Sequence, residues 1–263
     1  MLGMHITARD LEILKFLLDM KFATINDIHE KFFRVTQEGK ISTSLYYARE
    51  RLRLLRYNLF VEQVKFRYTD RIFFLPTANA FSLIESLPNT SSIIAKPIKQ
   101  IDIRTFEHDY LLTKCRLQLE RKQVVTEWKS EKALHRTLFL ETSRFVKDMV
   151  PDAIYSTQDS VVAFELELTL KSKKRYSHKL RKYSDILRNT QKEIPLSFDE
   201  VFFVCSTPGI QRSIEKELSW LPENHNFRFQ QLRDFISNTG VITSEKLRGP
   251  IFKTYQADFE KSY

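Results

Sequence analysis

Hydrophobic residues in the first sixty positions recur at helical spacing and predict three α-helices. Thr7 is the expected N-cap of the first helix, whose apolar face is Leu11, Leu14, Leu17 and Leu18. Thr24 caps a second predicted helix, Ile25–Phe33. Ser42 opens a third, whose buried stripe is predicted to be Leu45, Ala48, Leu52, Leu55 and Leu59. The chain therefore begins with three amphipathic helices.

The pattern then changes to that of strands. Leu59–Lys65 and Arg71–Leu75 read as two strands around the polar tip Phe66–Asp70, and Phe81–Leu87 reads as a closing helix. Three helices followed by a hairpin predict a winged helix-turn-helix.

In such a module the third helix enters the major groove of DNA, and the hairpin contacts the backbone. Between Ser42 and Arg71 there are seven basic and three acidic residues. The expected DNA contacts are Lys40, Thr43, Ser44, Tyr47, Arg51 and Arg53 around the third helix, with Lys65, Arg67 and Arg71 on the hairpin. The alternative is a helical bundle used for protein contacts, since winged helices also serve in dimerisation.

A polar linker at 88–92, followed by Pro97, predicts a boundary near residue 95, and hence two domains, 1–95 and 96–263. Helices and strands alternate beyond it, which predicts an α/β domain with a mixed sheet, and an α+β chain overall. The expected elements are helix Arg104–Lys122, strand Val124–Trp128, an uncertain stretch Leu134–Thr142, strand Met149–Tyr155, strand Val161–Thr169, helix Ser172–Asn189, strand Glu200–Ser206, helix Ile210–Leu218 and strand Phe227–Phe229.

Two acids lie on one face of a predicted core strand. Side chains alternate along a strand, so Glu165 and Glu167 share a face. Buried charge of this kind is costly unless a cation, a metal or solvent meets it. Asp152 on a neighbouring strand completes a predicted cluster of three carboxylates that holds Mg²⁺ or Mn²⁺ against a phosphate. Lys171 is the nearest candidate base or phosphate clamp, and the alternatives are Lys174, Arg175 or Lys179 of the following helix.

Charge is concentrated directly after these acids. The 263 residues carry a formal charge of +9, and residues 171–192 alone carry +8. A concentration of this kind is typical of a surface that contacts phosphate, whose affinity falls with salt. The predicted contacts are Lys173, Lys174, Arg175 and Lys179. The alternative is a solvated helix face.

The composition argues against several other classes of protein. Two distant cysteines argue against a disulfide framework or a thiolate zinc site, and no apolar stretch approaches the roughly 18–20 residues of a membrane span. We therefore expect a cytoplasmic protein without a membrane partner.

One stripe of the helix predicted at 172–189 is expected to pack on the sheet, and it consists of Tyr176, Leu180, Tyr183 and Leu187. The two tyrosines also suit base stacking or nucleophilic attack. Trp128 and Trp220 are predicted to be core residues.

Pro151-Asp152 and Glu165-Leu166-Glu167, in the order helix, strand, strand, strand, helix, resemble the core of the PD-(D/E)xK nuclease superfamily. The resemblance implies that Asp152 and Glu165 bind a divalent ion for DNA cleavage. The chain departs from the pattern at Glu167, where lysine is usual, although some restriction endonucleases of the superfamily also have Glu there.

Over about residues 5–205 the chain resembles the bacterial replication-relaxation family. The resemblance is carried by the front half, with Thr7-Ala8-Arg9-Asp10 and Ala48–Leu55, then by Glu107–Leu112, Glu127-Trp128, Pro151-Asp152-Ala153 and Glu165–Thr169 with Lys171, Arg175 and Tyr176. It implies a DNA-binding protein of a plasmid or other mobile element, acting in replication, mobilisation or its control. The candidate partners are double-stranded DNA, a second copy of the chain and a replication or mobilisation protein. The alternative is a catalytically inactive regulator or scaffold.

Overall fold

The computed structural model describes residues 5–36, 38–88, 94–122, 125–141, 150–188, 196–221 and 226–237. They divide into two compact units. Unit 1 takes in the described residues of 5–84 and 97–114, with 236 and 237. Unit 2 takes in those of 85–96 and 115–235. The predicted domains 1–95 and 96–263 stay a prediction, because the units interleave along the chain.

Unit 1 begins with helix α1, Ala8–Met20, and helix α2, Ile25–Phe32, separated by the short strand β1, Ala23–Thr24. Both helices begin with a capping box. The threonine hydroxyl accepts the backbone N–H of the aspartate three residues later, and the carboxylate of that aspartate accepts the backbone N–H of the threonine. The predicted caps Thr7 and Thr24 are therefore confirmed. Buried Ile13, Leu14 and Leu17 form the inner face of α1.

Helix α3 spans Tyr46–Tyr57 and is followed by strands β2, Val61–Lys65, and β3, Ile72–Pro76, and by helix α4, Ala78–Glu85. The three strands form an antiparallel sheet of order β1-β3-β2. Ala48, Leu52 and Leu55 are buried as predicted, whereas Leu59 is exposed. Leu59 has a positive φ of 61°, which turns the chain out of the helix before β2.

The third helix starts four residues later than the predicted Ser42. The Ser42 hydroxyl accepts the Ser44 N–H, and the Ser44 hydroxyl accepts the Tyr46 N–H, both at 3.3 Å. Serine side chains that bond neighbouring backbone in this way compete with helix formation. The Ser42 N–H donates to the Arg34 carbonyl, so the segment belongs to a turn before α3.

Helix α5 spans Phe106–Arg121, and its residues up to Lys114 belong to unit 1. Lys21 binds Asp109 at 2.5 Å, and Lys114 binds Asp27 at 2.6 Å. The Phe106 ring lies among Phe22, Phe66 and Phe73. Ion pairs and stacked rings therefore fix this part of α5 in unit 1.

Unit 2 contains a five-stranded mixed sheet. Its elements are β4 (Glu127–Ser130), α6 (Glu131–Glu141), β5 (Ala153–Ser156), β6 (Val161–Glu167), α7 (Lys173–Leu187), β7 (Glu200–Cys205), α8 (Pro208–Leu218), β8 (Phe227–Gln231) and α9 (Leu232–Ser237). The strand order is β4-β5-β6-β7-β8, with β4, β5 and β6 antiparallel and β6, β7 and β8 parallel. The prediction of a mixed α/β fold with a mixed sheet is confirmed. Helix α6 replaces the uncertain stretch, and α9 was not predicted.

The two faces of this sheet differ. Ala163, Val201 and Phe203 pack under α6, α7 and α8, with Leu180 and Tyr183 of α7 above them. The opposite face carries Phe164 and Phe202, whose rings lie 5.7 Å apart. The predicted packing of Tyr176, Leu180 and Tyr183 on the sheet is confirmed, because all three are buried. Glu165 and Glu167 point to the α7 side, since they are in register with Phe203 and Cys205.

Arg51 of α3 was predicted to point outward, and it is instead held by α1. Its guanidinium binds both carboxylate oxygens of Asp10, which is fully buried, and also donates to the His5 carbonyl. Burial alone would raise the pKa of Asp10, but hydrogen bonds from Arg51 and Thr7 lower it below its usual value. Arg53, two residues later, is exposed and binds its helical neighbour Glu50 at 2.9 Å.

These neighbours make a matched pair for a stability test. Arg51→Ala leaves the buried Asp10 carboxylate without its cation, so we expect it to lower the free energy of unfolding by about 3 kcal/mol. Arg53→Ala removes an exposed pair and is expected to change it by less than about 0.5 kcal/mol. Urea denaturation followed by circular dichroism measures both. Equal losses in the two variants would show that Asp10 and Arg51 do not fasten α3 to α1.

Candidate acid cluster and nucleic-acid interface

Strand β6 places Glu165 and Glu167 next to one another beneath α7. Each is only 1% exposed. Two ionised carboxylates in such a place repel one another and lose their hydration, so the cluster requires positive charge or protons. The side chains around them show how that requirement is met.

Lys179 of α7 supplies the positive charge. Its Nζ lies 2.5 Å from Oε2 of Glu165 and 3.6 Å from Oε1 of Glu167. The Tyr183 hydroxyl, one helical turn later, donates to Oε1 of Glu165. Lys171, just before α7, donates to Oε1 of Glu167 at 2.7 Å. One ammonium therefore bridges both acids, and a second cation shares Glu167.

Asp152 lies beside this pair, just before β5. Its Oδ2 accepts the backbone N–H of Leu166 at 2.7 Å, which ties the start of β5 to β6. Its charge also raises the pKa of Glu165. The structure thus brings together the four residues predicted for the catalytic site, Asp152, Glu165, Glu167 and Lys171, and adds Lys179 and Tyr183 to them.

The titration of the cluster follows from its burial. Burial raises the pKa of Glu165 to about 7; Lys179 opposes the shift, and the charges of Asp152 and Glu167 add to it. Burial would lower the pKa of Lys179, but Glu165 and Glu167 outweigh it and raise that pKa. The pKa of the Tyr183 hydroxyl is raised by burial and by Glu165. Lys179 therefore stays charged.

The donor chemistry of the three acids suits a hard divalent ion, which prefers carboxylate oxygen. Oε2 of Glu167 is buried without a hydrogen-bond partner among the described residues, so one acceptor remains to be satisfied. However, Lys179 already contacts Oε2 of Glu165 and Oε1 of Glu167. Across the described ranges, no group of three or more His, Cys, Asp or Glu side chains is arranged to hold an ion.

The outer face of α7 is basic and lies apart from this cluster. Lys173, Lys174, Arg175 and Arg181 are exposed. With Ser177 and His178 they line a surface groove of about 790 Å³. Lys179, which was grouped with these residues in the sequence, turns inward to the acids instead. Its contact with DNA stays a prediction.

In unit 1 most of the predicted DNA-contacting residues are exposed. Thr43, Ser44, Tyr47 and Arg53 lie at or near α3, and Lys65 and Arg67 on the hairpin. Lys40 is exposed and binds Glu38 at 2.9 Å. Arg71 is half-buried, donates to the Tyr110 hydroxyl and lies over its ring at 5.2 Å. Arg51 is held by Asp10, so these two arginines have structural partners within unit 1.

Sequence reasoning located only part of these surfaces. Lys179 was one of three alternatives for a cation directed at the acids, and its place three residues after Tyr176 in the buried stripe agrees with its inward direction. Tyr183 was predicted to pack on the sheet, with base stacking or nucleophilic attack as alternatives, and its hydrogen bond to Glu165 was not predicted. The prediction that Trp220 is a core residue is wrong, because its side chain is 73% exposed. Trp128 is buried as predicted, with its ring stacked on Tyr155.

Comparisons with protein-family models, with curated proteins and with solved structures find no match to this chain. Within the described part of the chain, no helix is long and apolar enough to cross a membrane.

Proposed function

We propose that this chain binds double-stranded DNA through unit 1, with unit 2 as a nuclease-like domain that contacts DNA backbone. The observation that carries the proposal is the set of exposed polar and basic side chains at α3 and on the β2–β3 hairpin. Arg53, Lys65 and Arg67 are its cations. A helix and a hairpin that expose such residues suit the major groove and the adjacent phosphates.

The order of elements in unit 1 supports the proposal. Three helices precede the hairpin, and β1 pairs with β3 to complete a small sheet. We interpret this order as a winged helix-turn-helix, in which α3 is the recognition helix. The tie between Arg51 and Asp10 suits that role, since a recognition helix reads bases only if it is held rigidly.

The biological setting is proposed from the resemblance in sequence. A winged helix followed by a nuclease-like domain, as in the replication-relaxation family, suits a protein of a mobile element that binds a replication or mobilisation site or controls its use. A second copy of the chain and a replication or mobilisation protein are the proposed protein partners. Mg²⁺ or Mn²⁺ is the proposed cofactor only if the domain cleaves DNA.

Duplex binding is tested with Arg53→Ala and a matched control. Arg104 is also an exposed arginine paired with a nearby acid, Asp102 at 2.7 Å, but it lies outside α3 and the hairpin. We expect Arg53→Ala to weaken binding to a blunt 30-base-pair duplex by about tenfold and to lower the salt slope by about 1. Arg104→Ala should bind as wild type does. Fluorescence anisotropy over a salt series measures both.

Wild-type affinity that does not change with salt, or equal losses in Arg53→Ala and Arg104→Ala, would contradict duplex binding through α3. Because Arg53→Ala is expected to be nearly as stable as wild type, weaker binding by this variant would not be due to unfolding.

Metal-dependent DNA cleavage is the second candidate function. It is favoured by Oε2 of Glu167, which has no hydrogen-bond partner among the described residues, and by the charge interaction of Asp152 with Glu165. For these three acids to hold Mg²⁺ or Mn²⁺, Glu165 and Glu167 would have to exchange their contacts with Lys179 for the ion, which would supply charge stabilisation at phosphate and a more acidic bound water. Lys171 would orient the phosphate, and Lys179 would keep the carboxylates ionised.

Supercoiled plasmid tests this candidate directly. If it is right, wild-type protein converts the plasmid to the nicked form only with Mg²⁺ or Mn²⁺, and both Asp152→Ala and Glu167→Gln lose the activity. Glu167→Gln preserves shape, so it separates chemistry from folding. No nicking by the wild type, or equal nicking by Glu167→Gln, removes the candidate and leaves a DNA-binding regulator or scaffold.

A further inference from the structure

The outer face of α7 exposes basic side chains at helical spacing. Lys174, His178 and Arg181 follow one another at intervals of four and three residues, so they line one side of the helix. Over seven residues they extend about 10 Å along the axis. Together with Lys173 and Arg175 they form a surface that we call the basic ridge.

Among the residues that the structure describes, most of the charge of the basic ridge has no acidic partner. Within the described residues, no acidic side chain lies within 4.0 Å of the charged nitrogens of Lys174, Arg175 or Arg181. Lys173 has the buried acid Glu217 at 3.8 Å and is itself largely exposed. Like charges along one helix face repel one another in the free protein, and a bound anion would relieve that repulsion. The ridge is therefore complementary to a polyanion.

Trp220 lies beside one end of this ridge. It follows α8 directly, and the Nζ of Lys173 lies 6.0 Å from the centroid of its ring. Helix α8 is joined to α7 at this point, because the Ser177 hydroxyl donates to Oε2 of Glu217 at 2.5 Å. The Trp220 side chain, two residues past the end of α8, is 73% exposed. The indole ring offers an apolar face at the Lys173 end of the basic ridge, which suits an aromatic partner that also carries negative charge.

We propose that the basic ridge and Trp220 form a binding site for single-stranded nucleic acid. Its phosphates bind along the ridge, and one base stacks on the exposed face of Trp220. Cationic grooves with an aromatic platform bind unpaired strands in this way. The bases of a duplex are already stacked on one another, so a duplex offers Trp220 no free base face. The inference goes beyond the proposed duplex binding and does not depend on it, since every residue used lies in unit 2.

The chain contains two tryptophans, which makes the contact observable. In the full-length Trp128→Phe variant, Trp220 is the sole tryptophan. Titration with 20-residue oligothymidine and oligouridine is expected to quench its fluorescence, because a stacked base quenches indole. If both strands quench the fluorescence to the same extent, the site recognises what they share, the phosphates and the face of the base. If one strand binds tenfold more tightly, that strand is the ligand.

Anisotropy with labelled oligothymidine gives a second measurement that does not need the Trp128 variant. We expect Trp220→Ala to weaken binding by about tenfold and Trp220→Phe to recover most of the loss. Lys174→Ala with Arg181→Ala should weaken it further and lower its salt dependence. Tyr57→Ala removes an even more exposed ring from unit 1 and should have no effect.

Three results would overturn the proposal: no quenching of Trp220 by either strand, equal binding by Trp220→Ala and wild type, or competition by polyglutamate as strong as that by oligothymidine. The last would identify an acidic protein segment as the partner. The duplex measurement stays separate, because Arg53→Ala is expected to change duplex binding and leave oligothymidine binding unchanged. Failure of one proposal is thus distinguished from failure of the other.

Discussion

The buried pair of acids on β6 is the constraint on which the arrangement of unit 2 depends. Glu165 and Glu167 lie side by side on a central strand, where neither can be hydrated. The ammonium of Lys179 meets both and is carried by α7, the crossover between two parallel strands. Removal of this cation would leave the buried Glu165 without its ion pair and Glu167 with Lys171 alone. The acids therefore fix not only a lysine but also the position of the helix that carries it.

This constraint also decides which side of α7 is available for binding. Lys179, Tyr176 and Tyr183 are directed to the sheet, and the residues of the basic ridge are exposed on the other side of the helix. A single amphipathic segment thus provides core packing, neutralisation of buried acid and a cationic surface. Trp220 adds an aromatic ring to that surface from the neighbouring helix. Unit 1 shows the same division within α3, where Arg51 is bound by Asp10 and Arg53 faces solvent.

Local sequence rules predicted a large part of this structure. Alternation along β6 placed Glu165 and Glu167 on one face, and the capping residues located the starts of α1 and α2. What could not be predicted depends on partners distant in the chain. Arg51 meets Asp10 across 41 positions, and a charge on a helix surface does not reveal whether such a partner exists. The prediction that Trp220 is a core residue was wrong because it relied on the size of the side chain, and nothing in the nearby sequence indicated that it is exposed.

A double-mutant cycle between Glu165 and Lys179 tests this account most directly. The free energy of unfolding is measured for wild type, Glu165→Gln, Lys179→Met and the double variant, with the fluorescence of Trp128 and Trp220 reporting on unit 2. If Lys179 neutralises Glu165, the losses are not additive, and the coupling free energy is about 2 kcal/mol or more. Additive losses, with a coupling near zero, would show that the two groups do not hold α7 on the sheet and would contradict the account.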